Sequence, residues 1–116
     1  MQKIVKQGRY KYSDIQYEKI IIVEQDWDEL YEEGYSDFVP NLNDKGLVYF
    51  IHFSDYWLNE YGNISSRSIS IPFLSEKDAL KYASLNVNGL SWDKLDLEKL
   101  LSISQKLPHR GKLLIA

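Results

Sequence analysis

Two stretches, IIIV at residues 20–23 and VYFIHF at 48–53, set the terms for any fold this chain adopts. β-Branched and aromatic side chains suit a pleated surface and lose χ1 freedom in a helix, so both read as strands. Neither alternates cleanly between apolar and polar residues. A strand with one wet face would alternate, so these two call for cover on both faces. The wider segments are IQYEKIIIVE, 15–24, and GLVYFIHF, 46–53, the second placed centrally in a sheet.

Weaker signals fill in the rest. KIVKQGRYKY, around Gln7 and Gly8, reads as a hairpin or a bent strand. Asp26 is placed to cap a short helix in which Trp27, Leu30 and Tyr31 share one face and Gly34 ends the run. The connection 36–46 is broken by Pro40 and closed by the turn formers Asn43, Asp44, Lys45 and Gly46. Residues 54–63, SDYWLNEYGN, read as a loop or helical turn, with Gly62 and Asn63 reversing the chain. ISSRSISI, 64–71, is a more exposed strand that Pro72 prevents from continuing as a central one.

Ser75, three residues ahead of Asp78, marks the start of a second helix. Ala79, Leu80 and Ala83 form its apolar stripe, while Lys77 and Lys81 face water. A third helix begins at Asp93 or Asp96, with Trp92 packing against its first turn in the former case. It continues through Leu97, Leu100 and Leu101 towards Pro108. KLLIA, 112–116, closes the chain as a last strand. The expected order is β-β-α-β-β-α-α-β. Residues 1–116 then make a single α+β domain, a mostly antiparallel sheet with about three helices packed on it.

Several chemistries are excluded by composition. There is no cysteine, hence no disulfide framework, thiolate metal site or Cys nucleophile. No G-x-S-x-G elbow and no glycine-rich phosphate cradle is present. The two histidines, His52 and His109, have no partner at helical zinc-site spacing. His52 falls on the same side of its strand as Val48 and Phe50, where a core role is expected; His109 sits in a basic turn. No catalytic residue, metal ligand, cofactor or small-molecule substrate is therefore assigned. The start of the chain has no apolar core of signal-peptide length, and no purely apolar run exceeds five residues. The expected compartment is the cytoplasm.

Charge is where the chain is unusual. Residues 20–44 hold eight acids and no Lys or Arg, although the net charge is only −3. The densest part is EQDWDELYEEGYSD, 24–37, with Trp27, Tyr31 and Tyr35 at every fourth position. Surface acids raise association rates with cationic partners, and rigid aromatic side chains anchor interfaces. The candidate partner-binding residues are Asp28, Glu29, Glu32 and Glu33 for charge, with Tyr31, Tyr35, Asp37 and Phe38 beside them.

Two other classes stay open. A small metal-dependent hydrolase or nuclease would gather Asp26, Asp28, Glu29, Glu32 and Glu33 with His52, although their spacing matches no calcium loop. A nucleic-acid binder would use Arg9, Lys11, Arg110 and Lys112 with Tyr10 and Tyr12, against the repulsion of the acidic middle. Tyr56, Trp57 and Tyr61 are enough aromatic surface for a second interface or a homodimer.

In general character, a small cysteine-free acidic chain with an aromatic-rich acidic surface resembles the bacterial immunity proteins that neutralise polymorphic or contact-dependent-inhibition toxins. The resemblance spans the whole chain and implies a non-enzymatic inhibitor covering the cationic active site of a nuclease-type toxin. EQDWDELYEEGYSD would then stand in for a phosphate backbone.

Overall fold

The computed structural model describes residues 1–29 and 41–94. Within them the elements are β1 (Gln2–Ser13), β2 (Gln16–Gln25), β3 (Val48–Leu58), β4 (Ile64–Ile69), α1 (Glu76–Asn86) and β5 (Asn88–Trp92). The strands form one five-stranded sheet in the order β4-β3-β2-β1-β5, and every pairing is antiparallel.

β2 and β3 lie inside the sheet, as their composition demands. Ile20, Ile21, Ile22 and Val23 are all fully buried, as are Val48, Phe50 and Ile51. Alternation sends Ile20, Ile22 and Ile51 to the face that receives Ala79 and Ala83 of α1, together with Tyr10. Ile21 and Val23 turn to the opposite face, where they cluster with Ile4 and Ile64. Each such side chain contributes ~1.5–3 kcal/mol by leaving water, so these two strands dominate stability.

The helix follows its sequence signals. Ser75 is extended, and its hydroxyl accepts from the Asp78 amide at 3.0 Å. Glu76 and Asp78 lie in the first turn, where the helix dipole favours acids. Ala79 and Ala83 are fully buried, and Lys77 and Lys81 are exposed.

The expected α+β domain with about three helices is corrected. Among the described residues there is a single eleven-residue helix against five strands. Of the other expected elements, the helix after Asp26 falls mostly on residues 30–40. Most of the helix after Asp93, and the strand at 112–116, fall on 95–116. Those residues lie outside the described ones.

Three further differences have physical causes. No hairpin forms at Gly8, because β1 runs straight through it and turns instead at Asp14 and Ile15. Gly8 is where β5 comes closest: a Cβ there would collide with the Ser91 carbonyl and lie 3.0 Å from Trp92 Cα. The segment 54–58 is not a loop but the continuation of β3, paired to Ser66, Ser65 and Ile64. Finally, Trp92 does not precede a helix at Asp93. It belongs to β5 opposite Gly8, and the Asp93 amide bonds to the Gln7 carbonyl at 2.7 Å. No helix among the described residues is long and apolar enough to cross a membrane.

Candidate functional site

The acid-rich segment leaves β2 through a knot of side-chain amides. Gln25 is fully buried, accepts from Gln2 Nε2 at 2.9 Å and donates to the Trp27 carbonyl at 2.9 Å. Its Nε2 also reaches Glu29 Oε1 at 3.2 Å. Glu24 accepts the Tyr49 hydroxyl at 2.8 Å, and burial together with that bond pushes the Tyr49 pKa up to about 12. Asp26 does not cap a helix; its Oδ1 receives the Met1 ammonium at 3.0 Å. Neither Trp27 nor Asp28 is helical.

Asp28 has a different place from the expected one. It is fully buried, and its Oδ2 accepts both the Asn41 amide at 2.9 Å and Asn41 Nδ2 at 3.0 Å. A carboxylate so enclosed is a clasp between two parts of the chain, not an exposed steering charge. Glu29 is half-buried. Tyr31, Glu32, Glu33, Tyr35, Asp37 and Phe38 lie outside the described residues.

His52 is enclosed in the sheet at 1% exposure. Its Nδ1 lies 2.8 Å from Ser66 Oγ, and that hydroxyl donates to the Ser68 carbonyl at 3.0 Å. With the serine proton committed there, Nδ1 must be the donor, which fixes the neutral tautomer with a bare Nε2. Nε2 is buried and has no hydrogen-bond partner. Burial lowers the His52 pKa to about 4, so the ring is neutral at physiological pH. No group of three or more His, Asp or Glu stands ready for a metal ion among the described residues.

A cleft that the sequence did not announce opens at the other end of β2. It has a volume of about 540 Å³ and lies between the sheet and the C-terminal end of α1. Rings line it from three elements: Tyr10 and Tyr12 of β1, Phe53 of β3 and Tyr82 of α1. Tyr10 and Phe53 meet edge to face at 6.1 Å and 87°. Tyr82 is held by Phe73, with centroids 5.2 Å apart. Beside the rings stands Glu18, half exposed, accepting from Gln16 Nε2 at 2.6 Å and Ser54 Oγ at 3.0 Å.

Ser54 owes its place to an irregularity. The β3–β4 register shifts between Phe53 and Tyr56, and there Ser54 adopts φ 69°, the one positive φ among described non-glycine residues. A bulge that re-aims a side chain next to a cleft is a recurrent device of functional sites, and left-handed backbone at serine is strained. The hydroxyl it redirects orients Glu18. Burial first, then the Glu18 charge and Tyr12, raises the pKa of Tyr10, so its ring stays neutral.

Other expected groups disperse. Arg9 pairs across the β1–β2 ladder with Lys19, while Arg110 and Lys112 lie outside the described residues. Tyr56 packs beneath the sheet rather than on a loop, and Tyr61 stands 80% exposed at the β3–β4 turn. The signal for the cleft that sequence reasoning passed over was Tyr-x-Tyr at 10 and 12, whose alternation sets both rings on one face. No family model and no solved structure matches the chain.

Proposed function

We propose that the chain is a non-enzymatic binding module for a basic protein, most concretely a cytoplasmic immunity protein that covers the active site of a nuclease-type toxin. The observation that carries this reading is the acid-rich, base-free run of residues 20–44, whose portion 29–40 is pinned at its base by Asp28 and Asn41. Closing the ends of a segment lowers the entropy it must lose on binding.

The roles divide accordingly. Asp28 holds the base of the segment and makes no contact with the partner. Glu29, Glu32, Glu33 and Asp37 supply the field that draws in a cation-rich surface, and Tyr31, Tyr35 and Phe38 supply rigid anchors. The donor seen on Glu24 is neutral, the Tyr49 phenol, so it leaves that negative charge in place.

The test is co-expression with the product of the gene directly upstream, followed by association kinetics over a salt series from ~0.05 to ~0.5 M. The expected result is a complex whose association rate falls steeply with salt and falls again in a Glu32→Lys, Glu33→Lys variant. An upstream product that does not bind, or a rate indifferent to both salt and substitution, overturns the reading.

A further inference from the structure

We propose that the cleft between β1, β2, β3 and the end of α1 is a binding site for an organic cation, a methylated or quaternary ammonium head held by the rings of Tyr10, Tyr12, Phe53 and Tyr82 against the carboxylate of Glu18. This site is independent of the acid-rich segment: Glu18 is near the start of β2, and the acids of that segment begin at Glu24, near its end.

The chemistry of the walls selects the ligand. Aromatic faces carry negative quadrupole potential, and a cation within about 6 Å of a ring centroid is attracted to it. Four rings and a single carboxylate on the walls of one cleft all favour positive charge. Among the described residues, no Lys or Arg lines the cleft. Among the described residues the ion pairs join Met1 to Asp26 and Lys19 to Asp55, and neither reaches Glu18.

Its two donors, the Gln16 amide and the Ser54 hydroxyl, are neutral and fix its direction without cancelling its charge. An anion would meet the same field as repulsion. A neutral apolar ligand would strip water from Glu18 and return nothing. A methylated ammonium suits the site better than a bare one, because its charge is spread over apolar surface and is weakly hydrated.

Geometry supports this choice. The volume lies within the ordinary range for small-ligand sites. The cleft is open on one side, where Tyr12 is 67% exposed, so a head group can enter while its stem leads out to solvent. The same head chemistry can arrive as a free small molecule or on a modified lysine of another protein.

The experiment is an NMR titration of the full chain with choline and, separately, with 3,3-dimethyl-1-butanol, its uncharged carbon isostere. Choline is expected to shift the resonances of Tyr10, Tyr12, Phe53 and Tyr82 and to bind about tenfold or more tightly than the isostere. Glu18→Gln, which preserves shape, should weaken choline about tenfold and leave the isostere unchanged; an unchanged amide fingerprint elsewhere shows that the variant is folded.

A trimethyllysine peptide forms the second arm. Binding well above that of choline places the head on a protein, and equal binding places it on a small molecule. Choline that shifts no cleft resonance at ~0.1 M, or an isostere that binds as well as choline, overturns the proposal. Neither result bears on the salt-dependent association of the acid-rich segment.

Discussion

Asp28 and Glu18 flank the same strand, one just past the end of β2 and the other near its start, and they do opposite work. Asp28 is fully buried, and both of its named donors come from Asn41. Its charge is consumed in joining two parts of the chain. Glu18 is half exposed, receives neutral donors from Gln16 and Ser54, and stands among rings. Its field points outward. The lesson is that carboxylate density alone does not locate a binding surface; the surroundings of each acid decide whether it clasps or attracts. His52 belongs with Asp28 among the enclosed polar groups, and Ser54 belongs with Glu18.

The largest predicted effect is at His52. Its folded pKa of about 4 lies below the ordinary 6.5, so the unfolded chain takes up this proton more readily than the folded one. Stability is therefore fully present above pH 6.5 and is lost as pH falls towards 4, by roughly 3 kcal/mol for this group. Urea unfolding across that window should show the slope, and His52→Leu should flatten it, because leucine takes up no proton in either state. Equal slopes in the two proteins would mean that His52 is not enclosed as described.

Asp28→Ala comes next. It empties a buried position and strips two donors of Asn41 of their acceptor, at an expected cost of about 2 kcal/mol. Asp28→Asn keeps an oxygen in place and should cost about half as much. The measurement is a shift in denaturation midpoint at constant m-value. A change under ~0.5 kcal/mol would return Asp28 to the ranks of surface acids and dissolve its contrast with Glu18.

Much of the scaffold could be read from residue types, and the reason is visible at particular positions. IIIV and VYFIHF were legible because burial on two faces demands unbroken apolar composition, and Ile20, Ile21, Ile22 and Val23 are fully enclosed. Ser75 was legible because a cap is a local bond, here 3.0 Å to the Asp78 amide. The chain from Ser54 to Leu58 was misread because polar Ser54 and Asp55 break the apolar pattern where the ladder to β4 bulges, and pairing restores the strand beyond them. Asn88–Trp92 escaped for a similar reason: it is a short edge strand containing Gly89, held by β1 rather than by its own propensity. The cleft was the least legible. It depends on a register shift and on rings from β1, β3 and α1 meeting in space, and neither leaves a periodic trace in sequence.

The smallest effect tests whether the cleft carries stored strain. Ser54 at φ 69° incurs the left-handed penalty that a Cβ imposes, about 1 kcal/mol. Its hydroxyl offsets part of this through the bond to Glu18 at 3.0 Å. Ser54→Ala keeps the penalty and loses the bond, whereas Ser54→Gly loses both, with some added freedom in the unfolded chain. The glycine variant should therefore be the more stable of the two by about 0.5–1 kcal/mol, a difference from which the missing hydroxyl cancels. Glu18→Gln, at a half-exposed position, should stay within ~0.5 kcal/mol of the parent. A glycine variant no more stable than the alanine one would remove the strain from Ser54, and a large loss in Glu18→Gln would make Glu18 a clasp like Asp28.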